Sequence, residues 1–343
     1  MARAYPFPVK PITATKRPQT LKLSLKKRIS PYITLAKPNL TLLVTITALG
    51  SYAIVPESAS AGPTDPLTLM FLSLGTALDS ACANSINMGR EPLFDAKMQR
   101  TCTRPVVKGT VSVRGSYIFA LGCGILGTAI LAYGTNNTVA ALGIANIVLY
   151  SGVYTSLKRI SIANTWIGAI VGAIPPLMGW AAASNGDLTH PGAWFLSGLL
   201  YFWQFPHFNS LSYTIRDEYK RAGYVMTAFT DPELNARVGL RSAIALFPIC
   251  IGLAYTGVTD WVFPFDSGIA NLYLAYLSYI FWKIKENKPK ERRLAARRAF
   301  FGSIIHLPIV FGLAILHKKG LIERFCSFVG LNIKKKNTKL EPN

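Results

Sequence analysis

Residues 116–157 read SYIFALGCGILGTAILAYGTNNTVAALGIANIVLYSGVYTSL. The runs 116–134 and 138–157 carry no charged side chain, and each approaches the roughly 20 apolar residues that cross a bilayer. Only the turn Gly134-Thr135-Asn136-Asn137-Thr138 separates them, so the two must form an antiparallel helical hairpin. One hairpin of this kind commits the chain to a membrane.

Seven further runs extend the pattern outward, at about 39–56, 67–86, 165–183, 192–211, 242–263, 268–284 and 299–317. Half of the 343 residues are hydrophobic and only 15% are charged, where a soluble domain carries about a quarter. The expected fold is all-α: a polytopic membrane protein with nine transmembrane helices. The five cysteines (Cys82, Cys102, Cys123, Cys250 and Cys326) have no metal-ligating spacing and no disulfide framework.

The formal charge of +21 is distributed by loop. The arm before the first span is basic and lacks Asp and Glu. Basic residues return after span two (Arg90, Lys97, Arg100, Arg104, Lys108, Arg114), after span four (Lys158, Arg159), after span six (Arg216, Lys220, Arg221, Arg237, Arg241) and after span eight (Lys283 to Arg298). The intervening loops hold only Glu57, Asp65, Asp187 and Asp266. Every second loop is therefore basic, as the positive-inside rule requires, and nucleic acid is excluded as a partner. The tail (Lys318, Lys319, Lys334 to Lys336) departs from this alternation. Nine spans put it on the opposite side, so either it is tolerated there or the count is off by one. Three regions result: a basic arm 1–36, a membrane domain 37–317 and a basic tail 318–343. The arm has the composition of a mitochondrial presequence, or it is a basic tail facing matrix or cytoplasm.

Polar side chains concentrate in two islands on the basic side. The first, NMGREPLFDAKMQRTCTRP (87–105), places Asn87, Glu91 and Asp95 four residues apart, a spacing that stacks them on one helix face. Such oxygen donors suit a hard cation such as Mg²⁺. Arg100 and Arg104 follow, and arginine suits phosphate oxygens. Gly89 and Pro92 argue against a plain helix. The second island runs from Trp203 through Pro206, His207 and Asn209 to Asp217, Glu218 and Arg221. Pro206 is expected to break span six just before His207. His207 and Glu218, about three turns apart, can face one groove. Between the islands, Lys158 and Arg159 can reach a phosphate or simply anchor a loop. Gly168, Gly172 and Gly179 allow close helix packing, and Pro175-Pro176 makes a kink. Asp79 within span two faces the same cavity or is a buried, partnered acid.

The first island resembles the leading motif of the UbiA-type intramembrane prenyltransferases. The strings LKRISIANTWIGAIVGAIPPLMGW (157–180) and WQFPHFNSL (203–211) resemble one branch, the haem O synthases, and the likeness runs from about Lys37 to His317. The resemblance implies nine helices around a central chamber capped by the two motifs, and Mg²⁺ as cofactor. It implies farnesyl transfer from farnesyl diphosphate to a vinyl group of haem B, giving haem O for haem A and cytochrome c oxidase. Carried over, Asn87, Glu91 and Asp95 hold Mg²⁺ and the diphosphate, and Arg100, Arg104, Lys158 and Arg159 contact phosphate. His207 is catalytic, and Asp217 or Glu218 supplies a further metal ligand. Implied too is a mitochondrial inner membrane location with the motif loops in the matrix (the cytoplasmic membrane in a prokaryote). Self-association, or a complex with the next haem-modifying enzyme, is the expected protein partnership. The competing readings are a prenyltransferase for an aromatic acceptor in ubiquinone synthesis and a non-catalytic transporter. The first is disfavoured by the histidine, and lack of aspartates, in WQFPHF; the second by both islands lying on one side.

Overall fold

The computed structural model describes residues 25–321. The presequence-like segment up to residue 24, Cys326 and the basic residues Lys334 to Lys336 lie outside the described residues. Among those described, the chain is helical, with one isolated bridge between Thr259 and Lys318.

Prolines begin five of the long helices, because a residue lacking an N–H loses nothing in the first turn. α1 (Leu25–Leu35) leads through Lys37 into α2 (Pro38–Ile54), with a bend of 49° between them. α3 (Pro66–Arg90) is capped by Asp65, whose carboxylate accepts from the Leu67 and Thr68 amides. A short α4 (Pro92–Asp95) follows at once. α5 (Val113–Gly134) and α6 (Asn137–Leu157) form the hairpin, and Asn136 both makes the turn and caps α6 through the Val139 amide. α7 (Asn164–Ala183), α8 (Pro191–Thr214), the short α9 (Arg216–Ala222), α10 (Pro232–Tyr255), α11 (Phe263–Lys283) and α12 (Pro289–Leu316) complete the bundle.

Among the described residues, nine long helices stand where the nine runs were read: α2, α3, α5, α6, α7, α8, α10, α11 and α12. Of the described helices, six are long and apolar enough by length and composition to cross a membrane, or seven if the bent α1–α2 pair is one span. α8 and α11 do not meet that standard, since Gln204, His207 and Asn209 in one and Asp266, Asn271 and Lys283 in the other dilute their hydropathy. Pro206 does not end its helix either. α8 continues to Thr214, held by Trp203 Nε1 donating to Ser303 O (3.0 Å) and Gln204 Nε2 donating to Ala169 O (2.9 Å). Neighbouring helices can compensate a buried proline in this way. α7 likewise runs on through Pro175 and Pro176.

α3 packs along α5, α8 along α10, and α2 along α7. Gly179 sets the last contact. A Cβ there would stand 2.0 Å from Ala48 O, so only glycine lets these two backbones approach.

The two ends of the bundle differ. At one, the connections after α3, α6, α8 and α11 interlock: Gln99 N donates to Glu218 Oε2 (3.0 Å), Val225 N to Lys158 O (2.7 Å) and Arg216 to Glu286 (2.9 Å). Arg292, fully buried, pairs with both Glu233 (3.0 Å) and Glu286 (3.1 Å). At the other end, Lys318 Nζ donates to Ala53 O (2.9 Å), and Asn136 Nδ2 to Ala181 O (2.9 Å). The tail therefore starts at the end opposite the basic loops, as the loop alternation required of nine runs.

Candidate active site

α3 ends at Arg90, and Glu91 is its C-cap (φ −118°, ψ 21°) because Pro92 cannot continue the hydrogen-bond ladder. Asn87, Glu91 and Asp95 are therefore not on one continuous helix, contrary to the four-residue reading. A break and a short second helix bring them together instead. All three are buried.

Each acid has a basic partner from elsewhere. Lys158 Nζ donates to Glu91 Oε2 (2.7 Å), which also accepts from Asn87 Nδ2 (2.6 Å). Arg104 Nη1 donates to Asp95 Oδ2 (2.6 Å). Lys37, at the α1–α2 bend, donates to Asn87 Oδ1 (3.2 Å) and to the Tyr150 hydroxyl (3.2 Å). Lys37, Arg104 and Lys158 stand close enough to repel one another. Burial, and then the charges of Arg104 and Lys158, hold the Lys37 ammonium well below its ordinary range, so the three basic groups facing two carboxylates together gain charge when a polyanion arrives.

Local irregularity builds this crowding. Residues Val148–Tyr154 within α6 form a π-helical turn, a feature common at functional sites. Arg90 donates to its Ser151 and Gly152 carbonyls and to Ser156 Oγ (2.9 Å). Tyr150 and Tyr154 stack with centroids 5.5 Å apart, and Lys158 lies 5.0 Å from the Tyr154 ring and 5.4 Å from that of Tyr224. The Tyr224 hydroxyl adjoins Glu91.

Burial dominates the electrostatics. It raises the Asp95 carboxyl above its ordinary range, against the opposing pull of Arg104. It lowers the Lys158 ammonium, against the opposing effect of Glu91. It raises the Tyr219 phenol, which Arg100 partly offsets through a hydrogen bond.

The remaining expected residues are spread. Arg159 donates to Arg90 O (3.5 Å) and covers the Phe94 ring at 4.3 Å. Glu218 joins the first island through Gln99, whereas exposed Asp217 pairs with Arg293 (3.1 Å). His207 and Glu218 do not share a groove. The imidazole stacks on Trp203 (4.7 Å), lies beside Phe300 (4.9 Å) and meets Ser303 Oγ through Nδ1 (2.8 Å). That hydroxyl already donates to Phe300 O (2.6 Å), so Nδ1 must carry the proton and Nε2 the free lone pair. Asp79 is buried, wedged against Gly127 and Gly143 with Thr128 beside it. It makes no contact with the cluster.

The sequence reading missed Lys37, Tyr150 and Tyr224. Lys37 had a signal: it directly precedes the proline that opens α2. Tyr150, inside an uncharged run, had none.

Mg²⁺ fits the donors at this site. Glu91 Oε1 is buried without a hydrogen-bond partner, and two carboxylates with an amide oxygen are what Mg²⁺ takes when a phosphate supplies the rest. Among the described residues no three His, Cys, Asp or Glu side chains gather into a metal-holding group, so a cation here would draw the rest of its shell from phosphate oxygens or water.

A helical membrane bundle with an acid–base cluster at one end defines the class: the chain belongs to the UbiA prenyltransferase family, whose profile matches residues 44–305. Within it, the sequence groups with proteins named "Protoheme IX farnesyltransferase, mitochondrial". The one from Debaryomyces hansenii is 57% identical, over 90% of this chain and 68% of its own length. Those of Yarrowia lipolytica (55% identical; 85% and 62%) and Saccharomyces cerevisiae (49%; 91% and 69%) are similar. Solved folds agree. A structure of digeranylgeranylglyceryl phosphate synthase superposes with TM-score 0.70 at 14% identity, covering 85% of this chain and 98% of that one. A UbiA homologue from Archaeoglobus fulgidus, bound to DMAPP and Mg²⁺, gives 0.55 at 14% identity, over 83% and 99%.

Proposed function

We propose that the chain transfers the farnesyl group of farnesyl diphosphate to a vinyl group of haem B, releasing pyrophosphate and yielding haem O. The observation that carries this reading is the 46–57% identity to relatives named for that reaction. The same names support a mitochondrial location, in keeping with a multi-pass inner-membrane protein, and the loop charges favour a basic end facing the matrix.

The chain's own residues account for the chemistry. The allylic C–O bond breaks with its electron pair leaving on pyrophosphate, so negative charge grows where Lys37, Lys158 and Arg104 crowd together. Preorganised cations in a buried site stabilise that charge without reorganising. Arg100 and Arg159 extend the cationic rim. Asn87, Glu91 and Asp95 would hold Mg²⁺, which would supply neutralisation of leaving-group charge there. Glu218 ties the second island to this margin through Gln99, while Asp217 is committed to Arg293. The vinyl carbon bonds to the farnesyl carbon, water adds to the resulting cation, and one proton is released. His207, with Nε2 unprotonated, is assigned as its acceptor.

Two outcomes are expected. Arg104→Leu removes a charge-assisted contact of about 1.5–3 kcal/mol, so the KM for farnesyl diphosphate rises about tenfold or more in steady-state assays. An unchanged KM contradicts the assignment. His207→Gln lowers kcat about a hundredfold, the usual scale for a lost general base, with the donor KM little changed. If the donor KM rises and kcat holds, His207 serves the donor side instead. The reaction itself is tested by incubating purified protein with haem B, farnesyl diphosphate and Mg²⁺ and chromatographing the haem. Haem O is the expected product; a prenylated aromatic acid formed in its place from a suitable acceptor overturns the reading.

A further inference from the structure

Away from the cluster, a groove of about 490 Å³ lies between α11 and α12. Leu277 and Gly302 form its floor: a Cβ at Gly302 would stand 2.4 Å from Leu277 Cδ1, so the glycine brings the two helices together beneath it. Its walls are apolar and face outward, with Tyr273 52%, Phe301 55% and Ile305 57% exposed. Arg297 and Arg298 line one end.

Those two arginines differ from the pair that precedes them on α12. Arg292 is paired with Glu233 and Glu286, and Arg293 with Asp217, while Lys290 is exposed in the first turn and does not line the groove. Arg297 and Arg298 are exposed and have no acidic partner or hydrogen bond among the described residues. They also mark a boundary. The helix is charged from Lys290 to Arg298 and uncharged from Ala299 to Leu316. Phe301 and Gly302 follow one turn further, about 6 Å along the axis. Unpaired positive charge thus sits where headgroups begin, above an apolar furrow running toward the bilayer centre.

We propose that this groove binds an anionic phospholipid, its phosphate on Arg297 and Arg298 and one acyl chain along Tyr273, Phe301 and Ile305. Charge complementarity selects an anionic lipid over a zwitterionic one, and the volume falls within the range of specific small-molecule sites. The groove shares no lining residue with the Glu91–Asp95 cluster, so the proposal does not depend on the assigned reaction.

The test is lipid retention. Purified protein is exchanged into mixed micelles with equal phosphatidylglycerol and phosphatidylcholine, and bound lipid is counted by native mass spectrometry. Wild type should retain phosphatidylglycerol at least fivefold over phosphatidylcholine. R297Q/R298Q should lose that preference, R297K/R298K should keep most of it, and L294W, which fills the groove, should lower phosphatidylglycerol retention about fivefold. Equal retention of the two lipids by wild type, or an unchanged preference in R297Q/R298Q, overturns the proposal. So does displacement of the lipid by farnesyl diphosphate that requires the two arginines, which makes the groove a donor port.

Discussion

Replacing Asp95 with alanine is expected to lower haem O formation by about a thousandfold or more. Asp95 is 2% exposed and joined to Arg104 at 2.6 Å. Its loss removes an oxygen donor proposed for Mg²⁺ and also leaves the partly buried Arg104 guanidinium without its counter-charge, a change that costs up to about 3 kcal/mol, short of the penalty for a fully buried pair. Because that cost can unfold the protein, Asp95→Asn is the sharper companion. It keeps volume and hydrogen bonding but removes the charge, and it should be folded and still at least a hundredfold impaired. Each variant is assayed for haem O after its folded yield is measured in detergent. A folded Asp95→Ala with near wild-type turnover removes Asp95 from the site.

Gly179→Val is expected to be the most damaging substitution outside the site. The added carbon would meet the Ala48 carbonyl at 2.0 Å and Ser51 Cβ at 2.9 Å. The first obstacle is backbone, so the conflict is relieved only by separating α2 from α7. Overpacking of this kind costs about 1–3 kcal/mol or more, and here it also displaces the α2 start that carries Lys37. Gly122 and Gly312, also helical, meet nothing within 4 Å. Alanine at either should be neutral or slightly stabilising, since glycine in a helix costs about 1 kcal/mol relative to alanine. Thermal unfolding of the three variants in one detergent decides the matter. Equal midpoints contradict the close-approach argument.

The fold was largely readable because a bilayer demands long uninterrupted runs and prolines mark where they begin. Pro38, Pro66, Pro191, Pro232 and Pro289 each open a helix. α8 and α11 were read as the runs 192–211 and 268–284 although their polar side chains leave them the least apolar of the long helices. Pro206 misled because a proline's effect depends on what packs around it. At the cluster, the four-residue spacing of Asn87, Glu91 and Asp95 pointed to the right residues through the wrong geometry. Gly89 and Pro92 had signalled that a plain helix would not hold. Lys37 and Tyr150 arrive by tertiary packing from 50 and 63 residues away from Asn87 respectively (87 − 37 and 150 − 87), which local pattern cannot reveal. The groove expected between His207 and Glu218 failed because the helix ends at Thr214, with Ile215 as C-cap, and α9 starts anew.

The central claim is that the buried cations and carboxylates at the basic end form a single diphosphate site. Titrating pyrophosphate into the purified protein by calorimetry tests it most directly. Wild type should bind in the presence of Mg²⁺ and at least tenfold more weakly without it, while Glu91→Gln and Lys158→Met should each lose at least tenfold in affinity. Binding that ignores Mg²⁺ and survives both substitutions would contradict the account.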